Sequence, residues 1–135
     1  MRMLKKCFAL LLVVAVFTVM TVNAVDFSEA ENVQPRYTGI FDSRTSLDIS
    51  SFGKANVYGY VHALSGYTVD VTVSLIKDET SIKSWSDSGN GGVEISKNYY
   101  VTSGHSYYTS LYVEVYNSSN KLVDSFTIYS DAVNY

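Results

Sequence analysis

Two histidines, His62 and His105, are the side chains best suited to acid–base or metal chemistry in this sequence. One ends an alternating stretch and the other follows a glycine in a loop, so their spacing gives no reason to expect them to meet. Catalytic and metal sites need several converging groups, and the sequence contains no serine elbow, His-Glu-x-x-His or paired-aspartate motif. We therefore expect a protein with no catalytic residue, no metal and no cofactor.

The acidic, glycine-rich stretch at residues 87–92 is the other place where a cation could bind. Calcium needs six or more oxygen ligands, whereas this stretch offers one carboxylate, Asp87, and the amide of Asn90. Gly89 and Gly91 stand where a calcium-binding loop would carry ligands. We therefore predict a flexible turn without a bound ion.

Tyrosine is the residue type that stands above background, with 12 copies in the chain. Tyr108, Tyr112 and Tyr116 recur at every fourth position, which in a strand places them on one face about 13–14 Å apart. Tyr129, on the neighbouring strand, would fill the gaps between them. With their hydroxyls in water, these rings would form a flat platform for sugar rings, peptide or a second copy of the protein. Alternatively, tyrosine simply favours strand surfaces, where cross-strand pairs contribute ~0.2–1 kcal/mol.

These tyrosines belong to a long alternating stretch, residues 101–116, in which Leu111 and its alternate neighbours form the apolar side. A period of two residues predicts a strand with one buried face. No segment after the N-terminal apolar run has helical periodicity. The fold class predicted is therefore all-β, a two-sheet antiparallel sandwich of about seven strands. The other six strands are expected at residues 45–50, 54–63, 67–76, 80–86, 93–101 and 121–130.

The N-terminal residues predict export rather than folding. Three cations precede an apolar run of about 15 residues, which is too short to span a membrane, and small residues precede a cleavage point after Ala24. We expect residues 1–24 to be a signal peptide that is removed, residues 25–36 a flexible acidic arm and residues 37–135 the sandwich domain. The mature protein would be secreted, with no membrane segment.

Cleavage would also change the charge of the protein. It would remove three of the ten Lys and Arg residues and none of the 13 acidic residues, leaving seven cations against 13 acids and a net charge of −6. This balance argues against nucleic acid and anionic membranes as partners. The single cysteine, Cys7, would leave with the signal peptide, so no disulfide is expected, as is usual in bacterial export.

Residues 101–113 resemble the corner and sixth strand of immunoglobulin-like and fibronectin type III-like sandwiches. In those folds a tyrosine near the start of this strand bonds to the backbone upstream, and the resemblance gives that structural role to Tyr107, with Gly104 in the corner. Antibody domains carry a cysteine at the position of Thr109 and a tryptophan in the third strand. The tryptophan of this chain, Trp85, lies in the expected fourth strand instead. The resemblance therefore implies an immunoglobulin-like architecture without the antibody disulfide.

The whole chain also resembles small secreted proteins of Gram-positive bacteria. The similar segments are Pro-Arg-Tyr-Thr at residues 35–38, Gly-Lys-Ala at residues 53–55 and Tyr-Asn-Ser-Ser at residues 116–119. These motifs carry no chemistry, so the resemblance implies a bacterial extracellular setting and no particular activity.

The preferred hypothesis is a secreted, non-catalytic protein that binds through its exposed tyrosines to carbohydrate, cell wall or another protein. A self-associating matrix or surface protein is an alternative, because long edge strands with few charges pair between molecules. A secreted bacteriocin-like effector that acts by binding is a further alternative. A small outer-membrane β-barrel is the least favoured, because seven strands is an odd number.

Overall fold

The computed structural model describes residues 37–135, so the predicted signal peptide and acidic arm lie outside the described residues. Within residues 37–135 the chain forms eight strands and no helix, and hence no helix that could cross a membrane. The strands are β1 (Ile40–Ile49), β2 (Lys54–Ala63), β3 (Thr68–Lys77), β4 (Thr80–Asn90), β5 (Gly92–Tyr100), β6 (Ser106–Tyr116), β7 (Leu122–Tyr129) and β8 (Val133–Asn134).

These strands form two antiparallel sheets, which confirms the predicted two-sheet sandwich. One sheet has the order β1-β2-β5, and the other has the order β4-β3-β6-β7, with β8 paired to β6. The fourth strand thus pairs with the third. In antibody constant domains the fourth strand instead joins the sheet of the first. The chain changes sheets between β4 and β5 at Gly91, whose φ of 92° suits glycine.

The core lies between the sheets and follows the predicted alternation. In the central strands β2, β3 and β6 every second side chain points inward. Burial of their apolar surface stabilises the fold. Its largest fully buried aliphatic residues are Val57 and Val61 of β2, Val69, Val71, Val73 and Leu75 of β3, and Leu111, Val113 and Val115 of β6.

Gly59, in the middle of β2, lets the two sheets approach closely. A Cβ atom added there would lie 2.9 Å from Cδ1 of Leu111 and 3.4 Å from Cβ of Val73. A glycine inside a strand often marks such a close approach, and here Leu111 of the opposite sheet is the neighbour.

The prediction of a flexible turn at residues 87–92 is wrong. Asp87 to Asn90 continue β4, and pair in register with Val71 to Thr68 of β3. Asp, Ser, Gly and Asn all have low strand propensity, but a strand partner already in place supplies backbone hydrogen bonds that outweigh it. Only Gly91 separates β4 from β5.

The first strand is longer than predicted, because β1 begins at Ile40 rather than at residue 45. Phe41 is the extra residue of a β-bulge, since Ile40 pairs with Ala63 and Asp42 pairs with His62. Its side chain is 72% exposed. Tyr37, by contrast, packs against the core.

Tyr37 stacks on Phe126 of β7, with ring centroids 3.6 Å apart and planes 6° from parallel. The next residue strengthens the attachment, because the backbone N–H of Thr38 donates to Oδ2 of Asp124 over 2.9 Å. The chain entering the domain is thus fixed to the edge strand β7.

The C-terminal segment pairs with β6 after an irregularity that follows β7. Ser110 of β6 pairs with Tyr129. Tyr107 lies three residues before Ser110 and pairs with Val133, which lies four residues after Tyr129. One extra residue therefore lies between β7 and β8, and the tail remains in the sheet. The backbone N–H of His105 donates to the carbonyl of Tyr135 over 3.2 Å, which holds the last residues against the corner before β6.

Candidate functional site

Four tyrosines share the outer surface of the sheet β4-β3-β6-β7. Tyr108, Tyr112 and Tyr116 alternate with buried residues along β6. Tyr129 of β7 pairs with Ser110, and therefore lies between Tyr108 and Tyr112 on the neighbouring strand. We call these four residues the tyrosine face. Their placement follows from the alternation of β6 and the register of β7.

The strands on either side of β6 surround these rings with hydroxyl groups. Two hydroxyl residues of β3 are each hydrogen-bonded to a hydroxyl residue of β4: Thr72 to Ser86 over 2.9 Å, and Ser74 to Ser84 over 2.7 Å. Short hydroxylated side chains keep this surface flat around the larger rings. The outward residues beside the tyrosine face are Thr68, Asp70, Thr72 and Ser74 of β3, Ser84, Ser86 and Ser88 of β4, and Ser125 and Thr127 of β7.

Tyr108 is held at one end of the tyrosine face by two contacts. Its hydroxyl donates to Oε2 of Glu79, in the β3–β4 turn, over 3.1 Å. Its ring meets that of Tyr129 edge to face, with centroids 6.0 Å apart. Partial desolvation, followed by the hydrogen bond to Glu79, raises the pKa of the Tyr108 phenol above its usual value.

Glu114 organises the other end of the tyrosine face. The hydroxyl of Tyr116 donates to its Oε2 over 2.5 Å, and this bond is the main reason that the pKa of Tyr116 rises to about 12. Glu114 also raises the pKa of Tyr112, chiefly through hydrogen bonding. The expectation that the hydroxyls of Tyr108, Tyr112 and Tyr116 simply face water is therefore wrong: Tyr108 and Tyr116 bond carboxylates, and Tyr112 also interacts with Glu114.

The charges on this surface are negative. Asp70 of β3 stands directly opposite Glu114 of β6, an arrangement of like charges that costs stability in a sheet. The hydrogen bond from Tyr116 to Glu114 partly offsets this cost. Among the outward residues of β3, β6 and β7 that the structure describes there is no lysine or arginine. The surface thus offers hydroxyl donors, carboxylate acceptors and exposed rings.

The rings of the tyrosine face remain accessible. Tyr112 is 41% exposed and Tyr129 is 66% exposed, whereas Tyr108 and Tyr116 are half-buried. Tyr112 and Tyr129 therefore present most of the ring surface that a ligand could cover.

Tyr107 and Gly104 have different surroundings from the tyrosine face. Tyr107 is completely buried, and its hydroxyl donates to the carbonyl of Thr102 over 2.6 Å, five residues upstream. Gly104 has a φ of 86°, which is in the left-handed region, and no atom would crowd a Cβ there. Glycine is therefore needed for backbone conformation rather than for space.

The two histidines belong to different parts of the fold: His62 lies in β2 of one sheet, and His105 precedes β6 of the other. His62 is exposed at the end of β2, and its ring lies edge-on to Phe41, with centroids 5.4 Å apart. Beside it, the guanidinium of Arg44 lies 4.9 Å from the ring centroid of Tyr60. These contacts form a small aromatic cluster on the other sheet. Sequence reasoning missed it because the bulge at Phe41 gives no signal in the pattern.

His105 has a partner that the sequence did not reveal. Its Nδ1 lies 2.5 Å from Oδ2 of Asp78 in the β3–β4 turn, and the backbone N–H of Ser106 donates to Oδ1 of the same carboxylate. The bond from Ser106, followed by that from His105, lowers the pKa of Asp78. Asp78 and His105 are 27 positions apart in sequence, and they meet because Asp78 follows β3, His105 precedes β6, and these two strands pair. Knowledge of the β3–β6 register would have been enough to predict this contact.

The described residues contain no group of three or more His, Cys, Asp or Glu side chains arranged to hold a metal ion. The tyrosine face is the candidate functional site because it gathers exposed rings and carboxylate-bound hydroxyls on one surface. Comparison with the sequence models of known protein families gave no match, and comparison with curated proteins gave no significant match.

Proposed function

We propose that this is a secreted, non-catalytic β-sandwich protein that acts at the bacterial surface by binding a carbohydrate polymer through its tyrosine face. The proposal is supported by one observation above all: aromatic rings, hydroxyl groups and carboxylates lie together on one surface of a single sheet. Sugar rings present weakly polar faces that suit aromatic stacking, and hydroxyl groups that suit carboxylate acceptors and serine or threonine partners.

The anchoring of the rings supports the same proposal. Tyr108 is tied to Glu79 and Tyr116 to Glu114, so two of the four rings are oriented before any ligand arrives. Pre-orientation reduces the conformational entropy that binding must overcome. Tyrosine has few rotatable bonds, which lowers this cost further.

The length of the tyrosine face favours an extended ligand. Tyr108 and Tyr116 are eight residues apart on one strand, which corresponds to about 27 Å at ~3.4 Å per residue. A polymer lying along β6 would therefore meet several rings in succession. Each weak contact would add to the next, because the contacts share one chain.

A binding screen tests this function. The purified exported protein is to be sedimented with insoluble polysaccharides and with bacterial cell-wall fragments, and the fraction retained measured. We expect retention by at least one glycan, and loss of that retention in the double variant Tyr112→Ala/Tyr129→Ala.

Tyr100 provides the matched control. It is 72% exposed on β5, in the other sheet, so replacing it by alanine removes a tyrosine of similar exposure away from the tyrosine face. The proposal is wrong if Tyr100→Ala abolishes retention while the double variant on the tyrosine face leaves it intact.

A further inference from the structure

Strand β4 presents an uncovered edge. It lies at one end of the sheet β4-β3-β6-β7, is 11 residues long, and within residues 37–135 pairs only with β3. Proteins usually protect such edges with proline, a bulge, a short strand or charged side chains, which repel a partner that does not carry complementary charges. β4 contains no proline, and its bulge at Ile82 lies near its start, which leaves residues 83–87 regular.

The order of residues along this edge is self-complementary about Trp85. When two identical strands pair antiparallel around a two-fold axis at Trp85, each residue meets the one equally distant on the other side of it. Lys83 therefore meets Asp87 of the second copy, and Asp87 meets Lys83 of that copy. Both side chains are exposed, and neither takes part in an ion pair among the described residues.

The same pairing keeps every residue on its proper side of the sheet. Residues opposite each other in an antiparallel pair must lie on the same face. Lys83, Trp85 and Asp87 all occupy one side of β4, so their pairing satisfies this condition. Ser84 meets Ser86 of the second copy on the other side, which is the side of the tyrosine face.

The edge of β1 offers a comparable arrangement. Arg44 and Asp48 lie on one side of β1, and would meet about a two-fold axis at Ser46. The guanidinium of Arg44 is already engaged, however: it lies 4.9 Å from the ring centroid of Tyr60 and 3.8 Å from Oδ2 of Asp42. Pairing at β1 would require those contacts to be exchanged. At β4, Asp87 accepts the N–H of Ser88 at Oδ1 over 2.8 Å, and its Oδ2 has no hydrogen-bond partner among the described residues.

The remaining two edges lack such complementarity. Glu94 and Lys97 of β5 fall on opposite sides of their strand, so no antiparallel pairing of β5 with itself can place them together. β7 contains no cation, and its carboxylate, Asp124, accepts the N–H of Thr38. Charge complementarity therefore selects β4 as the edge that fits a second copy.

The surroundings of Trp85 also suit a second copy. The indole is half-buried, and beside it a solvent-open hollow of about 550 Å³ lies between β4 and β5, with Ile95 among its lining residues. Around a two-fold axis at Trp85, the indole of each copy would enter the hollow of the other. Aromatic residues in such central positions commonly dominate the affinity of an interface.

We propose that the protein forms a two-fold homodimer by antiparallel pairing of its β4 edges, centred on Trp85 and held by reciprocal Lys83–Asp87 ion pairs. The second copy extends the sheet, and the two tyrosine faces lie on the same side of it. A polymer that spans both copies binds more tightly than to one, because the second contact becomes intramolecular. The dimer itself requires no ligand, so it stands or falls independently of the proposed function.

Trp85 supplies its own reporter, since it is the only tryptophan of the chain. Sedimentation velocity and tryptophan emission are to be measured on the purified exported protein over a wide concentration range. We expect a monomer–dimer equilibrium, with emission shifting to shorter wavelength as the dimer forms. The K83E and D87K variants should each weaken dimerisation at least tenfold, because each places like charges opposite one another twice.

Mixing the two variants provides the decisive step. In the mixed dimer, the new carboxylate at position 83 meets the new ammonium group at position 87, and Asp87 of the first variant meets Lys83 of the second. The mixture should therefore dimerise although neither variant does so alone. This recovery also shows that both variants are folded.

Asp48→Lys, on the edge of β1, is the matched control and should leave the dimer unchanged. The proposal is overturned if the wild-type protein stays monomeric, if K83E and D87K dimerise as well as wild type, or if their mixture stays monomeric. Loss of the dimer in D48K with retention in K83E would assign the interface to β1 instead.

Discussion

Replacing Tyr107 by phenylalanine removes one oxygen atom from the corner before β6. The ring stays in its completely buried position. The substitution removes the hydrogen bond to the carbonyl of Thr102, 2.6 Å long, and a weaker contact of 3.5 Å with Oγ1 of the same residue. Losing a hydrogen bond typically costs ~0.5–1.5 kcal/mol, and up to ~3 kcal/mol when the remaining partner stays buried and unpaired. Because Thr102 is exposed, water can partly replace the hydroxyl. We therefore expect Tyr107→Phe to lower the free energy of unfolding by about 1–2 kcal/mol.

Urea denaturation followed by circular dichroism measures this loss. The midpoint should fall while the slope m stays the same, since the surface exposed on unfolding barely changes. A loss of this size corresponds to a Tm lower by about 5–10 °C for a domain of this length. Tyr108→Phe is the matched control: it removes a hydroxyl bound to the exposed Glu79, and should leave the midpoint almost unchanged. Equal midpoints for Tyr107→Phe and wild type would refute the reasoning.

Three further predictions concern the core and two titrating groups. Gly59→Ala should lower the free energy of unfolding by about 1–3 kcal/mol, because its Cβ would lie 2.9 Å from Leu111, and Leu111→Val should recover part of this loss in the double variant. The difference in tyrosinate absorbance between wild type and Tyr116→Phe should show an ionisation near pH 12 rather than 10, because the folded protein favours the neutral phenol. That stabilisation is present below pH 10 and is lost as the pH rises towards 12. The lowered pKa of Asp78 favours its carboxylate in the folded protein, so the stabilisation is present above about pH 4 and is lost as the pH falls through the folded-state pKa. Unfolding midpoints of wild type should therefore approach those of Asp78→Asn on acidification, and a constant difference would contradict this assignment.

Strand identity was predictable wherever one face is buried. The alternation around Leu111 predicted β6 and its inward residues. The end of β4 was not predictable in this way. Asp87 to Asn90 have turn-forming side chains, and they form a strand only because β3 is already present beside them.

The candidate site was predictable in composition but not in its internal bonds. The period of two residues placed Tyr108, Tyr112 and Tyr116 on one side, and the hairpin placed Tyr129 beside them. Their carboxylate partners depend on side-chain reach and on the geometry of the β3–β4 turn. Both Asp78 and Glu79 of that turn adopt positive φ, which brings Glu79 towards Tyr108, and no one-dimensional pattern contains this information.

The central proposal is that the tyrosine face is the binding surface, and the dissociation constant of single-residue variants tests it most directly. For a glycan retained in the screen, calorimetric titration should show at least about fivefold weaker binding for Tyr112→Ala, corresponding to a loss of ~1 kcal/mol. Tyr100→Ala, on the other sheet, should bind as wild type. Unchanged affinity in Tyr112→Ala together with weakened affinity in Tyr100→Ala would contradict the proposal.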